Sequence, residues 1–293
     1  MEHLSRRWRA VFSAVVAVAA VSLAACTPGA TSTATPRTPK LKPPAIASAG
    51  VLRVAVDASY PPFAARQGAR FVGIDADVAA ALADELGLKL EFVDARPGAF
   101  GKTLREHRAD VALGGVAITQ AALSDFTIAG SYLTDGPGLF ATDGTLTPDA
   151  LQGVRVAVQK GSPAYWAMSA QPGTKLVVVP SLRQAFTALS AGKADAVAGD
   201  AIVGAYIRRD FAGVRFMGQL GDATPLGVAV PTGAQSLEVA VRDALDTLTG
   251  TGVLDAIRSK WEGDLPALSV GGSTETSSAE TTRGIDTSVA PSP

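Results

Sequence analysis

One short passage is written twice in this chain, and the repetition limits the folds open to it. Leu104-Arg105-Glu106-His107-Arg108-Ala109-Asp110-Val111-Ala112-Leu113-Gly114 is echoed by Leu189-Ser190-Ala191-Gly192-Lys193-Ala194-Asp195-Ala196-Val197-Ala198-Gly199-Asp200. Each passage reads as a helix, a polar turn, Ala-Asp, then a buried strand opening into glycine. Around both, strand-like and helix-like segments alternate. Val51–Val56 reads as a strand before the Pro61-Pro62 turn, and Val72–Ile74 leads into Asp75-Ala76-Asp77. Val78–Leu86 carries apolar residues at helical spacing and stops at Gly87. Leu88–Val93 reads as a strand, and Thr103–Arg108 suits a helix before the short strand Val111–Leu113. In the second half, Val154–Val158, Leu176–Val179 and Ala196–Ala198 read as strands and Leu182–Leu189 as a helix. Such a rhythm predicts an α/β fold with parallel sheets covered by helices. Two similar lobes facing a cleft would put Gly114–Thr119 and Gly199–Asp200 at carboxyl strand ends, where ligands usually bind.

The amino terminus carries a different message. Arg6, Arg7 and Arg9 precede an apolar stretch from Ala10 to Ala25, the layout of a signal peptide over residues 1–25. Leu23-Ala24-Ala25-Cys26 follows and contains the chain's only cysteine. This resembles the lipid-attachment box of a secreted bacterial lipoprotein, which implies cleavage before Cys26 and lipidation of its thiol. An uncleaved anchor is the structural alternative. A single cysteine permits no internal disulfide. The expected location is the extracellular face of the cytoplasmic membrane, with attachment through the lipid.

Composition supports a folded body between polar ends. Hydrophobic residues make up 47% of the chain and charged ones 18%, a balance that allows a sizeable core. The chain has 26 basic and 27 acidic residues; removing three arginines and Glu2 with the leader leaves 23 against 26, a net of −3. Nucleic acid is therefore excluded as a partner, since no basic cluster is present to neutralise phosphates. Residues 26–45 are rich in Thr, Pro, Ala and Ser and read as a flexible tether, as do residues 269–293 as a disordered tail. The body between them suits two small domains or one large one.

Several phrases, taken in order, carry a family resemblance. They are Leu52-Arg53-Val54-Ala55-Val56-Asp57 with Ser59-Tyr60-Pro61-Pro62-Phe63, then Phe71-Val72-Gly73-Ile74-Asp75-Ala76-Asp77-Val78, then Gly115-Val116-Ala117-Ile118-Thr119. Leu151 to Ser162 and the Ala194-Asp195-Ala196 strand ending at Asp200 follow. Over about residues 50–265 the chain resembles the extracellular solute-binding proteins of polar amino-acid ABC importers, of bacterial family 3, whose periplasmic-binding-protein type II fold also forms the ligand cores of ionotropic glutamate receptors. The resemblance implies lobe 1 from 46–136 plus 226–268 and lobe 2 from 137–225, joined by a two-crossover hinge. The first lobe is left near Tyr132–Leu139 and re-entered near Leu226–Val230. It also implies a solute captured by lobe closure and handed to an ABC permease, a monomeric receptor, no cofactor and no metal.

Carried over residue by residue, the resemblance nominates Asp57 and Tyr60 as contacts to the ligand's side chain, with Phe63 supporting their loop. Phe100 stands where a family aromatic stacks on ligand, and Tyr132 joins the aromatic set. Ala117 and Thr119 align with the segment that presents backbone and hydroxyl groups to an α-carboxylate, and Ser162 resembles a second-lobe hydroxyl serving the same group. Asp200 aligns with the partner of the ligand's α-ammonium. Structural alternatives stand beside three of these: Asp57 capping its turn, Phe100 packing within a helix, and Asp200 capping the helix that begins at Ala201.

The departure from the family matters more. After Ile118-Thr119 the family runs through Pro-Glu-Arg, whose arginine clamps a carboxylate; here the run is Gln120-Ala121-Ala122-Leu123-Ser124-Asp125-Phe126. Losing that planar fork removes the group best matched to a carboxylate, and neither Arg96 nor Arg155 is an evident replacement. A pocket of carboxylate and aromatic groups suits a cationic solute, whether amino acid, betaine or amine. A ligand-sensing or scaffold lipoprotein is the alternative reading, and a dehydratase on the same fold a further one. With His107 the one histidine in the body, no Ser-His-Asp set or metal cluster is evident, so catalysis is not expected.

Overall fold

The computed structural model describes residues 38–118 and 124–271. The leader, Cys26, Thr119 and most of the tail lie outside the described residues. In chain order, β1 (Val51–Val56) is followed by a small antiparallel meander of β2 (Ser59–Tyr60), β3 (Ala64–Gln67) and β4 (Arg70–Val72). Then come α1 (Ile74–Glu85), β5 (Lys89–Asp94), α2 (Phe100–Arg105), β6 (Val111–Ala112) and β7 (Thr127–Asp135). The second half runs β8 (Pro137–Ala141), β9 (Arg155–Gln159), α3 (Pro163–Ser169), β10 (Lys175–Val179), α4 (Leu182–Ser190), β11 (Ala196–Asp200), α5 (Ala201–Ile207) and β12 (Arg215–Gln219). It closes with β13 (Thr224–Val230), α6 (Gln235–Gly250) and α7 (Val253–Glu262).

These elements form two α/β lobes, each around a five-stranded sheet. One sheet has the order β5-β1-β6-β13-β7 and the other β10-β9-β11-β8-β12. Both are mixed rather than parallel, which corrects the expectation from the alternating rhythm. β7 and β13 pair antiparallel with each other in the first sheet, and β8 pairs antiparallel with both β11 and β12 in the second. The reason is the crossover: a chain that runs out of one sheet and returns to it must pass once in each direction. Asp135 ends β7 and Pro137 begins β8, so a single residue, Gly136, makes the first crossing. The return crosses between β12 and β13.

The repeated Ala-Asp acts in the same way in both lobes. Asp110 accepts from the backbone amide of Arg53 at 2.8 Å and from its guanidinium at 3.0 Å, while its own amide donates to the Arg53 carbonyl at 2.8 Å. Asp195 repeats this with Arg155 at 2.9, 2.6 and 2.8 Å. Each aspartate thereby staples the start of a short inner strand to its parallel neighbour. Bidentate pairing is the strongest use a guanidinium has, so Arg155 is committed to the fold.

Two boundaries differ from the composition-based ones. Residues 38–45, assigned to the tether, are tied to the first lobe: Leu41 is buried, the Lys40 amide bonds the Leu86 carbonyl at 2.9 Å, and its ammonium meets Glu85 at 2.6 Å. A Pro-rich composition hides one well-placed leucine. At the other end, Ser269 exchanges hydrogen bonds with Gln219 and Ala223, and Val270 bridges Ala223, so the start of the assigned tail is fastened at the return crossing.

Candidate functional site

A cavity of ≈ 630 Å³ opens where the strand ends of both lobes meet the two crossings. Tyr60, Gly115 and Ala117 line it from the first lobe; Gln159, Ser162, Leu182 and Asp200 line it from the second; Asp135, Gly136, Asp222 and Thr224 form its back along the hinge. The walls follow from the fold. β9 and β11 both point their carboxyl ends at the cavity and there start α3 and α5, so polar residues at those turns face the opening rather than the core.

Asp200 ends β11 and caps α5, with its side chain accepting from the Val203 amide at 2.8 Å. Thus the cap reading holds, and the same carboxylate also lines the cavity. Beside it stands Asp135, which sequence reasoning did not single out. Asp135 is 9% exposed and accepts from the amides of Gly136 at 2.8 Å and Ile202 at 3.3 Å. The two carboxyl groups are close enough to influence each other directly. Burial, and for Asp200 the second carboxyl group beside it, push both pKa values above the usual carboxylate range. Two carboxylates in one dry corner cannot both ionise cheaply, which favours a shared proton over two charges.

Tyr60 faces the same corner. Its ring lies parallel to that of Phe63, with centroids 5.2 Å apart, and Phe63 is buried. Desolvation, then the charges of Asp200 and Asp135, raise the phenol's pKa, so it stays a neutral donor at any physiological pH. Ala117 and Ser162 also line the cavity; the Ser162 hydroxyl accepts from the Tyr165 amide at 3.0 Å and caps α3.

Other nominated residues are placed elsewhere. Asp57 turns back on its own loop, accepting from the Ser59 amide at 3.0 Å and its hydroxyl at 2.6 Å, and does not line the cavity. This is its turn-capping alternative. Phe100 is fully buried among Ala55, Leu104, Ala112 and Ala229, so the ring fills the first lobe's core instead of stacking in the cleft. Tyr132 is likewise buried: its hydroxyl donates to Asp75 at 2.6 Å, and the amides of Gly114 and Gly115 donate to its oxygen. It therefore supports the loop leading to Ala117 from below. Among the described residues no group of three or more His, Cys, Asp or Glu is arranged to hold a metal.

Comparison with known proteins agrees with this architecture. Residues 52–264 match the family model of bacterial extracellular solute-binding proteins, family 3. A putative ABC transporter arginine-binding protein 2 of Escherichia coli K12 is 28% identical over 222 residues, covering 73% of this chain and 91% of that protein. An L-arginine-binding protein of Pseudomonas aeruginosa is 26% identical over 233 residues, covering 74% and 90%. Among solved structures, an ancestral cationic amino acid solute-binding protein superposes with a TM-score of 0.65 at 30% identity, covering 72% of this chain and 95% of that one. With a matching two-lobed fold and a cleft at the crossings, the chain belongs to the bacterial extracellular solute-binding proteins of family 3.

Proposed function

We propose that this protein captures a small, amino-group-bearing solute in the cleft by closing its lobes and presents the closed form to the permease of an ABC importer. Lipidation at Cys26 would hold it at the extracellular face of the cytoplasmic membrane. The observation that carries the reading is the Asp135–Asp200 pair at the back of the cavity with the Tyr60 ring opposite. Carboxylates and an aromatic face together favour an ammonium or guanidinium group. The names of the relatives, arginine-binding and cationic amino acid-binding, point the same way. A ligand touching both lobes gains its second set of contacts only on closure, which supplies the free energy for that motion. The test is calorimetric titration of ligand-stripped protein with amino acids, betaines and amines, repeated with Asp200→Ala. Saturable binding of one class that the variant loses supports the reading; no heat from any compound with correctly folded protein counts against it.

A further inference from the structure

Three features of the cleft oppose a ligand carboxylate. The first is the supply of positive charge: among the described residues, none of those lining the cavity is Lys or Arg. The segment that could have brought one is also empty of them, since no Lys or Arg occurs between Arg108 and Arg155. That span includes residues 119–123 and the first crossing, so composition alone excludes a Lys or Arg there. Arg155 is held by Asp195.

The second feature is the state of the helix starts. Amides at a helix start bind an anion where they are free. Here three helices begin at the cavity wall, and each has an amide already taken by the protein's own acceptor. The Ser162 hydroxyl takes the Tyr165 amide of α3 at 3.0 Å. The Gln159 side-chain oxygen takes the Leu182 amide of α4 at 3.1 Å, and Ser181 takes that of Gln184 at 3.3 Å. The Asp200 carboxylate takes the Val203 amide of α5 at 2.8 Å. A ligand carboxylate approaching α5 would meet a carboxylate, not a free donor.

The third is the charge that is present. Asp135 and Asp200 stand together at the first crossing, and Asp222 lines the cavity from the return crossing. Neutral donors on Tyr60, Ser162, Gln159 and Thr224 remain for polar contacts. They do not offset the desolvation of an anion beside Asp222 and the proton-sharing Asp135–Asp200 pair, where the described lining has no cation to meet it.

We propose that the cleft selects a cationic amine without a carboxylate, a diamine or a guanidino-amine, over the amino acid bearing the same cationic side chain. The inference rests on the binding role given above and narrows its substrate class. One amine would sit against Asp135 and Asp200 beneath Tyr60, and a second positive centre would lie toward Asp222.

Matched pairs that differ only by the carboxylate test it: cadaverine against lysine, putrescine against ornithine, and agmatine against arginine, each titrated calorimetrically into the ligand-stripped protein. The expected result is that the carboxylate-free member of at least one pair binds about tenfold or more tighter, the size of one like-charge contact avoided. Asp222→Asn should then weaken that diamine or guanidino-amine while leaving a monoamine such as butylamine unchanged. If in every pair the amino acid binds as tightly as its decarboxylated partner, or tighter, the inference is overturned and the broader solute-binding role stands. If neither set binds, both fall.

Discussion

Asp200 serves the fold and, on the binding role proposed above, would serve the ligand too. Its carboxylate caps α5 and also closes the cavity beside Asp135. Asparagine keeps the capping oxygen but not the charge, so Asp200→Asn should fold normally and lose about 100-fold in affinity for a cationic ligand, the usual scale for truncating a buried charge pair. Calorimetry with the best ligand checks this, and unchanged affinity would remove Asp200 from the binding set. Asp200 was legible in the sequence because an aspartate after a buried apolar strand demands an explanation. Asp135 was not, because Thr134-Asp135-Gly136-Pro137 reads as an ordinary turn and its partner is distant in sequence. Asp75 carries a separate prediction. It is fully buried, one oxygen takes the Tyr132 hydroxyl, the other has no hydrogen-bond partner, and burial raises its pKa from 3.8 to about 7. The folded protein therefore keeps a proton there that the unfolded chain releases, and stability falls as pH rises from about 4 to about 7, by at most about 1.4 kcal/mol per pH unit. Asp75→Asn should flatten that slope in urea unfolding between pH 4.5 and 7.5; equal slopes in both proteins would mean that Asp75 does not titrate in this window.

At the scale of elements, α5 joins what the sheets separate. It follows β11 of the second sheet, yet Ala201, Ile202 and Ala205 belong to the first lobe's main core, while Ile207 packs in the second lobe's core with Phe140 and Phe186. A helix of small residues can lie between two lobes because it brings its backbone close to both. Gly204 is the tightest point: a Cβ there would stand 2.3 Å from the Phe140 ring. On an exposed helix, Gly→Ala gains about 1 kcal/mol. Here Gly204→Ala should instead cost about 1–3 kcal/mol through overpacking, and Phe140→Leu should recover part of the loss in a double-mutant cycle. Simple stabilisation by Gly204→Ala would show that Phe140 has room to move. The sequence located most strands and helices to within a few residues, because apolar periodicity marks them. It placed the start of α1 at Val78, whereas the helix begins at Ile74 behind Gly73, with Asp75 and Asp77 in the first turn. Acidic residues interrupt an apolar stripe even where they suit a helix start. The role of α5 was not legible, since local pattern says nothing about which lobe a helix leans on.

For the whole molecule, the proposed binding and closure would both act at the hinge. Gly136 is the only residue between β7 and β8, and it passes so close to the return crossing that a Cβ would lie 2.9 Å from the Ala223 Cα and 3.1 Å from its Cβ. Neither neighbour is the far end of a flexible side chain, so a larger residue must push the two crossings apart. Both carry cavity carboxylates, Asp135 on one and Asp222 on the other. Away from the cavity, α7 and the turn after it hold the second lobe: Arg208 pairs with Asp264 in that turn, Arg209 donates to the Lys260 and Trp261 carbonyls of α7, and the Tyr206 and Trp261 rings lie 6.3 Å apart. The lobes thus meet through α5 and α7 as well as at the crossings. Gly136→Val should separate the crossings by a few tenths of an ångström, cost about 1–3 kcal/mol in stability and weaken ligand binding about tenfold or more, because closure must now bring displaced carboxylates back to one cation. Small-angle scattering distinguishes this from simple loss of fold. The wild-type radius of gyration should contract as ligand saturates, while the folded variant should keep its unliganded radius at the same ligand concentration. Normal contraction of Gly136→Val would show that the close approach of the two crossings does not govern closure.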